Sequence, residues 1–158
     1  MMSLQLGSAA ILCVLASGGL LLIGMLTGIW KYAQMASSAD AQAHPYVDIC
    51  HRTALLYSFA AMLLAVFAQL SAWSDTVNFW AALIPLSFFY SAVLVYGIHG
   101  VLQDTDNQLR RPHKLGAMTL PGVLLHGYMA ALMIGEIGGL MVLLAGVAKA
   151  LLTSYPAL

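Results

Sequence analysis

Four long apolar stretches, at about 6–30, 53–73, 77–98 and 120–152, leave this chain few ways to fold. A helix that crosses the hydrocarbon core of a bilayer needs about 20 residues of this kind. In lipid, only a helix or a closed barrel satisfies its own backbone hydrogen bonds. Composition agrees: 61% of the 158 residues are hydrophobic and 8% are charged, with a mean hydropathy of +0.88. Soluble domains carry about 25% charged residues. The reading is an all-α integral membrane protein, one domain over 1–158, folded as an antiparallel up-down bundle of four transmembrane helices in contact with the lipid bilayer. Zero net charge argues against a nucleic-acid partner. Cys13 and Cys50 form neither a disulfide framework nor a paired metal motif. The first stretch is too long for a signal-peptide core and has no Lys or Arg before it, so it is read as a retained span.

Ser74, Asp75 and Thr76 form the expected turn between the second and third spans, with Trp73 and Trp80 as interfacial anchors. The other two links, 31–52 and 100–119, are longer and polar. Four spans place both long links on one face, which also collects Lys31, Arg52, Arg110, Arg111 and Lys114. An excess of Lys and Arg marks the cytoplasmic side, so the links are expected in the cytoplasm and the protein in a bacterial inner membrane. His44, His51, His99, His113 and His126 all fall in those links or at the helix ends that meet them. One face thus holds every imidazole able to bind a transition metal or heme.

His44-Pro45 reads as an N-cap followed by proline at the first helical position. His51 follows seven residues later, about 10 Å along the axis, too far for both to bind one ion. Counting the hairpin from its expected turn sets His51 level with His99, and Tyr96 about one turn below, level with Ala54. His51, Tyr57 and Tyr96 then border one apolar cavity at the membrane edge, suited to a small molecule or cofactor.

Glu136 stands near the middle of the fourth span, where an ionisable group is costly and marks function by default. A protonated Glu136 bonded to a neighbouring helix is the structural alternative. Gly135, Gly138, Gly139 and Gly146, with Gly24 and Gly28 on the first span, read as close-packing surfaces for a bundle or a homo-oligomer. The run Asp104-Thr105-Asp106-Asn107-Gln108 suggests calcium, but Leu109 and Leu115 stand where a calcium loop needs Gly and Glu. A solvated turn capping the third helix is expected there instead.

In the second and third spans, the stretch His51-Arg-Thr-Ala-Leu-Leu-Tyr57, the apolar run to Gln69-Leu70 and Ala92-Val-Leu-Val-Tyr96 resemble the hairpin of styrene oxide isomerases. Gly18-Gly19 and Gly24 to Gly28 are similar in style to that family's first span. These are small four-span membrane enzymes that form trimers and carry heme b. The resemblance implies that His51 is the axial ligand of the heme iron and that Tyr96 is catalytic. It also implies a small apolar substrate, an aryl epoxide rearranged to an aldehyde with no net redox change. Tyr57 takes the place of the family's catalytic asparagine, the glycine-histidine-glycine near the first span is missing, and Glu136 has no counterpart.

Two other functions stay open on the sequence. One is a quinone-linked membrane cytochrome with His51 and His99 as paired ligands and Glu136 handling protons. The other is a non-catalytic small subunit of a membrane complex.

Overall fold

A computed structural model describes residues 6–154. Four helices follow one another: α1 (Ser8–Ser37), α2 (Pro45–Leu70), α3 (Asp75–Leu102) and α4 (Gly122–Ser154). Each is long and apolar enough to cross a membrane. A short antiparallel ladder in the last link pairs β1 (Lys114–Leu115) with β2 (Met118–Thr119). The turn between them contains Gly116, whose φ of +60° suits a residue without Cβ.

α2 and α3 form a hairpin, and α1 and α4 each pack on both of its members. The amide of Gly7 donates to the side chain of Gln69, and Ser8 donates to Asp75, so the start of α1 meets the end of α2 and the start of α3. At the far end, the His44 amide donates to Gln34 and Lys31 pairs with Asp48. His44 caps α2 as the sequence implies: its Nδ1 accepts from the Tyr46 amide, with Pro45 in the first turn.

The interior is built largely from small side chains, among them Ala9, Cys13, Ala54, Ala61 and Ala82. Large apolar ones face outward: Phe59 is 70% exposed and Ile134 74%. Helix bundles in lipid pack this way, because small residues let backbones approach while large apolar ones cost nothing against acyl chains. Pro85, inside α3, has no N–H for the Ala81 carbonyl one turn earlier. That carbonyl lies against Gly139 of α4, where any Cβ would overlap both it and the Pro85 ring. Gly135 meets Phe88 and Gly146 meets Ser71 and Trp73, so most of the α4 glycine face is spent on this chain's own helices; Gly138 faces open space.

The hairpin link is 71–74, not 74–76: Asp75 and Thr76 already belong to α3, and the Ser74 hydroxyl accepts from the Val77 amide as its N-cap. An N-cap serine read as mid-turn shifts the count across the hairpin. In the structure the Val47 side chain lies against Gly100 and Cys50 against Gly97. The His99 ring therefore packs tilted against Tyr46, centroids 4.8 Å apart, while the same register sets His51 level with Tyr96.

Candidate functional site

α2 and α1 together fix His51. Its Nδ1 lies 2.8 Å from the carbonyl oxygen of Gly24. A carbonyl only accepts, so Nδ1 donates, and in the neutral imidazole it is Nε2 that carries the lone pair. Gly28, one turn further along α1, makes room for the ring: a Cβ there would stand 2.9 Å from His51 Cε1. Metal-ligating histidines show this arrangement, one nitrogen donating to a carbonyl so that the other is oriented and more basic. The chemistry of this donor suits a nitrogen ligand to iron. The residues present do not fit a metal ion held by the chain alone, since no group of three or more His, Cys, Asp or Glu lies together among the described residues. His51 is partly buried, in the second turn of α2.

Tyr96 is partly buried on α3, its ring 5.9 Å from that of Tyr46. Its hydroxyl makes no hydrogen bond among the described residues, so it is free to donate to a ligand. His99 is occupied otherwise. It is 3% exposed, and its Nδ1 lies 2.8 Å from Asp104 Oδ1. Asp104 also accepts from the Gly116 amide, and the Tyr46 hydroxyl accepts from the Gln108 amide at 2.5 Å. The acidic run is therefore not a solvated turn at its first carboxylate: Asp104 is buried and ties the β1–β2 link to the end of α3. Burial pushes the Asp104 carboxyl up, but the hydrogen bonds from His99 and Gly116, with the His99 ring beside it, outweigh this and hold it below the usual carboxylate range. Asp106, paired with Arg110, keeps the solvated character expected of the run.

Tyr57 points away from His51, toward α3 and α4. Its ring stacks on Phe89 at 4.1 Å, and its hydroxyl donates to Glu136 Oε1 at 3.2 Å. Both line a cavity of about 290 Å³ walled by Leu64, Pro85, Phe89 and Ile137; neither His51 nor Tyr96 lines it. The three residues expected around one cavity are thus not brought together: Tyr57 lies with Phe89 and Glu136, Tyr96 against Tyr46, and His51 against Gly24 and Gly28. Six positions separate His51 from Tyr57, which puts them on different faces of α2. A second space of about 830 Å³ lies over the last link, lined by Arg111, His113 and His126. There His113, 7% exposed, has its Nδ1 3.2 Å from the Gln108 carbonyl and its ring edge-on to His126 at 5.7 Å. His44 serves as the α2 cap.

Sequence reasoning misses Tyr46 and Asp104 as the partners of His99, and Glu136 as the partner of Tyr57. It also misses the ion pairs of Asp48 with Lys31 and Arg52. The i,i+4 spacing of Asp48 and Arg52 is visible in the sequence; the others join distant segments and leave no local signal. Compared with protein-family models, curated proteins and solved structures, the chain matches none of them.

Proposed function

We propose that this chain is an integral membrane protein, an antiparallel up-down bundle, that holds heme b through His51 and isomerises a small aryl epoxide to the aldehyde. The observation that carries this reading is the His51–Gly24 hydrogen bond, which orients the ring and turns Nε2 away from α1 as the atom that would bind iron. Heme b, held by His51, would supply an iron centre that acts as a Lewis acid toward the epoxide oxygen.

The chain's own residues do the rest. Gly24 and Gly28 hold the imidazole against α1, so its orientation costs nothing when the ligand bond forms. Tyr96, level with His51 and with an uncommitted hydroxyl, orients the substrate oxygen by donating to it. Tyr57 stands where the family has its asparagine, but its hydroxyl is engaged by Glu136, so the orienting role falls to Tyr96. The apolar helix faces exclude water, which protects a reactive carbon from hydrolysis. The resemblance also implies a homo-oligomer, a trimer. The long links carry the excess of Lys and Arg and lie in the cytoplasm.

Detergent-purified protein supplied with an aryl epoxide tests the proposal. Aldehyde should form without added reductant, and added imidazole should shift the Soret band and inhibit. A Soret band insensitive to imidazole, with no aldehyde formed, would oppose this reading and favour a paired-histidine cytochrome.

A further inference from the structure

The cavity between α2, α3 and α4 is separate from His51, and its chemistry is unusual for its place in the bundle. Its lining is apolar except for the Tyr57 hydroxyl and the Glu136 carboxyl. The Tyr57 hydroxyl donates a hydrogen bond to Glu136 Oε1. Glu136 Oε2 makes no hydrogen bond among the described residues, and the Tyr57 oxygen retains its lone pairs.

No cation among the described residues serves this carboxyl. Lys31 and Arg52 pair with Asp48, and Arg110 pairs with Asp106. Lys149 sits 4.5 Å over the Trp73 ring, and Arg111 and Lys114 lie in the last link. A carboxylate at this depth costs several kcal/mol without a partner. A partner that enters from the lipid must itself be apolar over most of its surface. The volume, about 290 Å³, suits a molecule of one ring with a short arm, at the lower end of ligand sites.

We propose that this cavity binds a small apolar primary amine as its ammonium ion, the nitrogen donating to Glu136 Oε2 and to the Tyr57 oxygen and the hydrocarbon body lying against Phe89, Pro85 and Leu64. The ammonium group supplies donors that match the two open acceptors, and its charge neutralises the carboxylate in a low-dielectric setting where opposite charges attract strongly. The site is independent of heme binding at His51.

Calorimetric titration of the detergent-purified full-length protein tests it, with benzylamine, benzyl alcohol and toluene as probes of nearly one shape. Benzylamine should bind about tenfold or more tighter than benzyl alcohol, and toluene weakest. Glu136→Gln should remove that preference, while Ala60→Phe, which fills the cavity wall and keeps the carboxyl, should block all three probes. The wild-type comparison stands even where a variant does not fold. Equal binding of benzylamine and benzyl alcohol would overturn the proposal, as would full benzylamine affinity in Glu136→Gln. The Soret region is followed in the same titration. An amine-induced shift there, with benzylamine affinity unchanged in Glu136→Gln, would place the amine on heme iron and overturn the cavity site, leaving the His51 reading intact.

Discussion

The Nδ1 of His51 lies 2.8 Å from the Gly24 carbonyl, and the His51 ring covers Gly28 on the same face of α1. One hydrogen bond fixes both tautomer and orientation. Two glycines one turn apart make it possible, because only at such positions do α1 and α2 approach closely enough for an imidazole to reach a backbone carbonyl.

On the proposed heme reading, Gly28→Ala should therefore lower cofactor content without unfolding the bundle. The new Cβ would stand 2.9 Å from His51 Cε1 and 3.1 Å from Nδ1, which pushes the ring off Gly24. Heme per protein, measured as the pyridine hemochrome, should fall severalfold, with helix content by circular dichroism unchanged. Undiminished heme loading would mean that the Gly24 contact does not orient the ligand.

The packing of α4 on α3 yields a paired test. Gly139→Ala forces a methyl group onto the Ala81 carbonyl and the Pro85 ring, and backbone does not yield as a side chain would. Overpacking of this kind costs about 1–3 kcal/mol. Gly138→Ala meets nothing within 4 Å and should be near neutral. Unfolding in mixed micelles with increasing denaturing detergent measures both. Equal effects would show that α4 does not seat on α3 through Gly139.

The four helices are legible in the sequence, because long apolar runs need no tertiary information to be recognised. The His44-Pro45 start of α2 is legible too, since a cap is a local signal. The pairing across the hairpin is not: Ser74 looks like a turn residue, and only the structure shows it capping α3. Taking 74–76 as the turn displaces the count by about one helical turn. It matches His51 to His99, where Tyr46 belongs and where Asp104 folds back from the link. The Tyr57–Glu136 bond joins residues 79 apart on different helices, and periodicity carries no information about such pairs.

Tyr57→Phe removes that bond and keeps the ring stacked on Phe89. Hydrogen bonds between membrane helices average about 0.6 kcal/mol in double-mutant cycles. The variant should lose about that much stability in the same mixed-micelle assay. In a Glu136→Leu background, Tyr57→Phe should cost nothing further. A loss that persists with Leu at 136 would assign it to something other than the pair.

Asp104 makes the link pH-sensitive. Its carboxyl is held below the ordinary value of 3.8 in the folded chain, so ionised Asp104 stabilises the fold. That contribution is complete above the unfolded-state value and is lost as pH falls through the lower folded value. Melting temperature should thus decline in acid below about pH 4, and Asp104→Asn should be less stable at neutral pH and flatter through the acid range. The same acid decline in both proteins would locate the sensitivity elsewhere.

The most direct measurement is the absorption spectrum of purified protein with and without His51. Wild type should show a Soret band and a heme b hemochrome, His51→Ala should lose the band, and added imidazole should restore it by filling the space beside Gly28. Wild-type protein without a Soret band, or a band unchanged in His51→Ala, would contradict the assignment of His51 as the heme ligand.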